Sequence, residues 1–297
     1  MKGLKIVRPV TVMPSMLSTD VPEDDYDAWD SGTPYEADER VIYEHKVYQS
    51  LQASNTGKAP DQDALWWVEV GPTNRWKAFD LSNSTQTQQD DSMCFEITAG
   101  TAINALAVLN MRGVYSIKVT VTDPQYGVVY ERTASVTTFP SQANWYTWYF
   151  GVRVEQDRAL FLDLPSYPDA TTKIEFTGGA MAVGVILVGK QIVLGDLVAR
   201  PMTIGFRDYS RKQTNEWGDT VLQQRAYAET QSLEILLPNG QIASVKQALA
   251  GLRATPTLWI PTDQISGISI YGWLSTFSTL IEYAHHSIVR IELEGLT

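Results

Sequence analysis

Apolar positions along this chain recur mostly at every second residue, in short runs closed by Gly, Pro, Asn or Asp. That periodicity predicts half-buried β-strands. Arg40-Val41-Ile42-Tyr43 and Lys46-Val47-Tyr48-Gln49-Ser50-Leu51 read as two strands joined tightly through Glu44-His45. Asn55-Thr56-Gly57 and Pro60 mark a turn, Leu65 to Val70 reads as a third strand, and Gly71-Pro72 breaks it. A second β-rich stretch begins near residue 93. Val114 to Val121 is β-branched and aromatic, and Asp123-Pro124 with Tyr126-Gly127 supplies turn chemistry before Val128-Val129-Tyr130. Tyr146 to Val154, Lys173 to Thr177 and Ala182 to Val188 continue the series.

The period changes once. Ile242, Val245, Leu249 and Leu252 fall at helical offsets within Gln241 to Arg253, with Asn239-Gly240 before them and Pro256 after. Strands are predicted on both sides, at Ser232–Leu237, Thr257–Ile260, Ile268–Trp273 and Ser287–Glu294. In the last, Arg290, Glu292 and Glu294 interleave with Val289, Ile291 and Leu293, giving one wet and one buried face, Ile288 apart.

The expected fold is therefore mainly β: a small three-stranded β module, a jelly-roll-like β-sandwich, and an α+β C-terminal domain with one main helix. The boundaries are 1–34 for an extended N-terminal arm and acidic linker, 35–81 for the module, 92–190 for the sandwich and 191–297 for the α+β assembly domain. Ser82 to Asp91 is polar and without apolar period, and reads as a linker.

Composition narrows the function. The 297 residues are 19% charged and 10% aromatic, with nine tryptophans, a mix that excludes a disordered chain. Net charge is −11, and up to Asp80 fourteen acids face eight bases, so no nucleic-acid partner is expected. Cys94 stands alone, which excludes an internal disulfide and a thiolate zinc site. No window reaches eighteen apolar residues, so no membrane span is expected; Ala180 to Val188 is about half that. The opening MKGLKIVRPVTVMPS lacks the apolar core of a signal peptide, and synthesis in a reducing compartment is expected.

Known chemistry is scarce. There is no G-x-S-x-G elbow and no P-loop, and Gly178-Gly179 with Gly184 has the wrong spacing for a dinucleotide fingerprint. No cofactor and no metal are expected. The acidic run Asp20, Glu23, Asp24, Asp25, Asp27, Asp30 matches no EF-hand and reads as a solvated linker. His285-His286 lies in a strand context, where neighbours point to opposite faces and cannot share a metal; the third histidine is His45. Carboxylates remain open. A polysaccharide-acting enzyme with an accessory binding module needs only two acids about 5–9 Å apart, and Asp61, Asp63 and Asp163 are the candidates.

The aromatics speak most clearly. Tyr43, Tyr48, Trp66, Trp67 and Trp76, with Phe79, crowd fewer than fifty residues. Either they form a miniature core or at least one ring is a platform for the apolar face of a sugar. Adjacent Trp66 and Trp67 on a strand face opposite ways, so one can be core and the other exposed. Trp145 to Phe150 is apolar on both faces if extended, as in a central strand buried between layers or subunits. Trp145, Trp148, Trp217 and Trp273 are the candidate interface rings.

Asp38 to Val70 resembles the small chitin-binding module appended to bacterial chitinases and phage proteins. The matching positions are Val41, Tyr43, Tyr48, Asn55, Thr56, Gly57, Pro60, Trp66 or Trp67, and Val70. Gly71-Pro72-Thr73-Asn74-Arg75-Trp76-Lys77-Ala78-Phe79-Asp80, Ile204 to Ala228, the helix through Ala254-Thr255-Pro256, and the ending Ile291 to Leu296 are similar to structural proteins of tailed bacteriophages. The middle resembles carbohydrate-binding, galactose-binding-like sandwiches in arrangement only.

The resemblance implies a non-enzymatic virion component of the tail tip, baseplate or collar, assembled in the host cytoplasm. Its expected partners are copies of itself in a ring, other tail proteins, and a host-surface glycan. A dedicated glycan adhesin is the remaining alternative. The proline-marked N-terminus suits an arm that docks on a neighbour and is disordered alone.

Overall fold

A computed structural model describes residues 3–138, 145–150, 154–197, 202–262, 267–281 and 283–296. In chain order the elements begin with β1 (Leu4–Pro9), β2 (Leu17–Thr19), β3 (Arg40–Tyr43), β4 (Lys46–Ser50), β5 (Trp67–Pro72) and β6 (Thr87–Thr98). β7 (Ala105–Asp123), β8 (Gly127–Ser135), β9 (Thr137–Thr138), α1 (Trp145–Phe150), β10 (Val154–Glu155), β11 (Arg158–Phe161) and β12 (Thr171–Leu194) follow. The last part holds β13 (Asp196–Leu197), β14 (Thr203–Asp208), β15 (Arg211–Thr214), β16 (Thr220–Gln223) and β17 (Tyr227–Pro238). It closes with α2 (Ile242–Ala250), β18 (Thr257–Ile260), β19 (Ile270–Leu280) and β20 (His286–Gly295). The fold is mainly β, with large antiparallel sheets, a small three-stranded sheet and one main helix near the C-terminus.

The chain divides into two compact units. The first comprises Met1–Val10, Ile103–Ala105 and Val188–Thr297. Here the strand order is the end of β12, then β1, β18, β19, β20 and β17, with β13 and β14 both pairing β17. β1 is a central strand: Leu4↔Leu194 through Pro9↔Gly189 on one side and Lys5↔Ile260 through Val7↔Leu258 on the other. Its Leu4, Ile6 and Val7 are fully buried. The expected arm is thus extended, but its partners are strands of its own chain, because three buried aliphatics and a double ladder outweigh exposure to a neighbour.

The amphipathic helix forms as its period predicts. Val245 and Leu249 of α2, and Leu252 just beyond, pack with Leu233, Ile235, Leu237, Val289, Ile291 and Trp259.

The second unit comprises Thr11–Ala102 and Leu106–Leu187. Its sheet runs β2, β6, β12, β7, with β8 and β11 along β7. Residues 181–189 of β12 and 105–109 of β7 are buried without alternation, as befits central strands. Phe95 and Phe176 meet edge-on in the core, with centroids 6.1 Å apart.

Two sequence expectations fail in this unit. Thr87–Asp91 belongs to β6, with Thr87–Asp90 paired against Ala180–Val183, and is not a linker; buried Thr87 holds the end by accepting the Ala78 N–H at 2.9 Å. Trp145–Phe150 is a helix, not a strand buried on both faces. Helical spacing brings Tyr146 and Phe150, four apart, to a centroid distance of 4.8 Å. Residues 151–153 of the expected strand lie outside the described residues.

β7 and β12 approach closely where both carry glycine. A Cβ on Gly113, which sits at φ +66°, would lie 2.3 Å from the Ala180 carbonyl oxygen, and one on Gly178 would lie 2.1 Å from the Gly113 oxygen. Gly178-Gly179 therefore absorbs a register shift inside one 24-residue strand rather than ending it.

Candidate functional site

The small module is built on β3, β4 and β5. Its hairpin turns through Glu44 and His45, both left-handed at φ 47° and 66°. That geometry matches the twist of the flanking strands, and it ordinarily recruits Asn or Gly. Here the acidic segment compensates for the strain. The Glu23 carboxylate lies 3.0 Å from His45 Nδ1, accepts the Thr73 hydroxyl at 2.7 Å and faces Arg75 at 3.6 Å. Asp25 accepts the Asn74 N–H at 2.9 Å, and Asp20 accepts the Cys94 N–H at 2.8 Å. Trp29 N–H and Ile42 N–H bond reciprocally to Ile42 and Asp27 carbonyls, adding an edge to β3.

The acidic segment is therefore tied to the module through Glu23 and Asp25, while Asp20, Asp24, Asp27 and Asp30 remain exposed. Its side chains satisfy donors that the Thr73-to-Phe79 turn would otherwise leave bare.

The sequence-predicted rings divide by depth. Trp67 (2% exposed) and Tyr48 are core, joined by Tyr35 and Val41, and the Trp67 indole donates to the Lys58 carbonyl at 2.9 Å. Neither presents a ring face to a ligand. Trp76 is half-buried between His45, at 5.0 Å, and Phe79, which meets Phe95 in turn at 5.4 Å. Tyr43 and Trp66 are half-buried and rim the module.

Lys58 Nζ stands 5.9 Å from the Trp66 ring centroid and 4.0 Å from Asp63. Burial, then the charge of Asp61 and of Glu44, pushes the Tyr43 phenol above its ordinary value, so it remains a protonated donor at neutral pH. Trp66 with Lys58 near its ring, and Tyr43 with Asp61 nearby, are each a flat ring beside polar groups that can stack an apolar sugar face and bond its hydroxyls. Trp29 is the member that pattern reading missed. It packs edge-on to Tyr43 at 5.5 Å, and its signal was a tryptophan inside an otherwise polar acidic run.

The interface candidates lie elsewhere. Trp145 and Trp217 are exposed, and Trp273 on β19 is exposed to a lesser degree. The Trp148 side chain lies outside the described residues. All residues from Thr203 to Tyr227 are exposed, over β14, the β15–β16 hairpin and their connections. The hairpin tip is shaped by Asn215, whose Oδ1 accepts the Trp217 N–H at 3.1 Å and the Asp219 N–H at 2.7 Å.

At the base of this arm, Ile204, Phe206, Tyr227, Gln231 and Ile268 line a groove of about 250 Å³. Phe206, Tyr227 and Gln231 carry no sign of this role in the sequence beyond lying in or next to the 204–228 segment.

The acids considered for catalysis are not gathered. Asp61 and Asp63 belong to the module, whereas Asp163 accepts from Tyr130 at 3.0 Å and Arg132 at 3.2 Å. His285 and His286 are both exposed. Among the described residues, no three His, Cys, Asp or Glu side chains cluster as metal ligands, and no helix is long and apolar enough to cross a membrane. No family model matches the chain, nor does any curated protein or solved structure with which it was compared.

Proposed function

We propose that this chain is a non-enzymatic structural subunit of a bacteriophage tail, at the tip, baseplate or collar. It assembles with copies of itself and with other tail proteins, and its small module meets glycans on the host surface. The observation that carries the reading is the fully exposed stretch from Thr203 to Tyr227, which displays Ile204, Phe206, Tyr209, Trp217, Val221, Leu222 and Tyr227. A two-stranded hairpin with no buried residue is marginal alone, and so many displayed apolar side chains suit a surface that a partner covers. The likeness of 204–228 to tailed-phage structural proteins supports the same assignment. The half-buried rings Trp66, beside Lys58, and Tyr43, beside Asp61, support the glycan contact.

Sedimentation equilibrium of the full chain over a wide concentration range tests assembly: a discrete homo-oligomer is expected, and a monomer throughout overturns the reading. Cosedimentation with insoluble chitin and peptidoglycan tests the module. Trp66→Ala should weaken binding roughly fivefold to tenfold while leaving the melt unchanged. Trp67→Ala should instead cost about 3–5 kcal/mol of stability, because it empties a buried site. Binding by Trp66→Ala equal to the unaltered chain would remove the glycan contact from the proposal.

A further inference from the structure

Most of the net charge of this chain sits on the small module and the acidic segment tied to it. Residues 20–80 hold fourteen Asp and Glu against five Lys and Arg, a net of −9 within a chain of −11. Three pairs cancel part of it: Lys46 with Glu69 at 2.8 Å, Lys58 with Asp63 at 4.0 Å and Arg75 with Glu23 at 3.6 Å. Setting those pairs aside leaves eleven acids against two bases. A field of that sign repels an anionic polymer and draws in a cationic one.

Charge alone marks no site, but the rings do. Tyr26 and Trp66 each have a cation of the chain itself over the ring, Arg40 at 5.8 Å and Lys58 at 5.9 Å from the centroids. Among the described residues no Lys or Arg stands in this way over Tyr43. That ring is half-buried, with Trp29 edge-on at 5.5 Å and Tyr48 edge-on at 6.4 Å. The charges that act on it, Asp61 and Glu44, are both negative, and both residues are exposed. A protonated amine is attracted by an aromatic face and donates charge-assisted hydrogen bonds to a carboxylate beside it, whereas an N-acetyl amide gains much less from either.

We propose that the glycan met by this module carries free, protonated amino groups, and that Tyr43 with Asp61 and Glu44 receives one of them. This inference rests on the glycan reading above and names the class of sugar: an amino sugar without its acetyl group, in preference to a neutral N-acetylated or an anionic one.

The test titrates the full chain calorimetrically with two soluble hexasaccharides that differ only in acetylation, one of glucosamine and one of N-acetylglucosamine. At about pH 6 the carboxylates of Asp61 and Glu44 are ionised. At about 0.01 M salt the glucosamine oligomer should bind roughly threefold to tenfold more tightly than the acetylated one. That advantage should shrink at about 0.1 M, where the screening length falls from about 30 Å to about 10 Å. Asp61→Asn combined with Glu44→Gln, both at exposed positions, should erase the advantage and leave the melt and the affinity for the acetylated oligomer unchanged. Tyr43→Leu, which removes the ring face, should lower the affinity for glucosamine by a similar factor; should it unfold the module, the exposed double variant decides alone.

Equal or weaker binding of the glucosamine oligomer, or an advantage that survives the double variant, overturns the proposal and leaves the glycan reading standing. An oligolysine of equal charge that binds as tightly, and is indifferent to Tyr43→Leu, shows attraction to the acidic surface at large and overturns it as well. Binding of neither hexasaccharide overturns it too, and if cosedimentation with chitin and peptidoglycan also fails, the glycan reading falls with it.

Discussion

Single residues of this protein are held by specific local chemistry. Gly113 combines a left-handed backbone with a carbonyl 2.3 Å from where a Cβ would sit, so neither backbone nor neighbour can yield cheaply. Gly113→Ala should lower stability by roughly 2 kcal/mol or more, read from urea midpoints at constant slope. Cys94 gives a pH-dependent counterpart. Burial, reinforced by Asp20, Glu96 and Glu175 over the opposing Lys173, pushes its thiol from 9.0 up to about 11. At pH 8 its thiolate fraction is about a hundredfold below that of an ordinary cysteine; the more basic thiolate partly offsets this, so iodoacetamide labelling should run roughly ten- to a hundredfold slow until the chain is denatured. The sign for stability follows: the folded state keeps this proton between pH 9.0 and about 11 while the unfolded chain releases it, so stability falls as pH rises through that window. Cys94→Ser should flatten the decline.

At the level of elements, period was a good guide wherever one face met a core. β3, β4, β18 and α2 fall where Arg40–Tyr43, Lys46–Leu51, Thr257–Ile260 and Gln241–Arg253 were read, the ends shifting by only a few residues. Period failed where burial and pattern part company. Trp145–Phe150 is aromatic at every position but Thr147, which fits either geometry, and ring pairing at a spacing of four decides for helix. Thr87–Asp90 is polar yet paired, because its partner Ala180–Val183 supplies the apolar side. The acidic run gave itself away only through Trp29, since the carboxylates' targets, Thr73, Asn74, Arg75 and Cys94, lie far along the chain. The strand β1 carries the heaviest consequence. Removing residues 3–9 would strip Leu4, Ile6 and Val7, each worth about 1.5–3 kcal/mol of burial, and open the edges of β12 and β18 together. The truncated chain should aggregate on size-exclusion chromatography and lose near-ultraviolet dichroism.

For the whole molecule, legibility ends at partners. The three-stranded module and the main helix α2 could be read from their own residues, and so could the crowding of Tyr43, Tyr48, Trp66, Trp67 and Trp76. Which of those rings is core depended on depth, and alternation supplied only that Trp66 and Trp67 differ. The stretch 203–227 was not legible as strands, because strands without a buried face leave no period to detect.

The placement of β1 also sets a clock. Its two neighbours are residues 189–194 and 258–260, so this strand waits for segments made about 180 to 250 residues after it. At about 5–20 residues per second that delay is on the order of 10–50 s. Throughout it, Leu4, Ile6 and Val7 sit on an unpaired apolar strand, which is the state a chaperone or a wrong neighbour captures. The unit built on β1 is therefore completed late, only after the residues of β18 have been made.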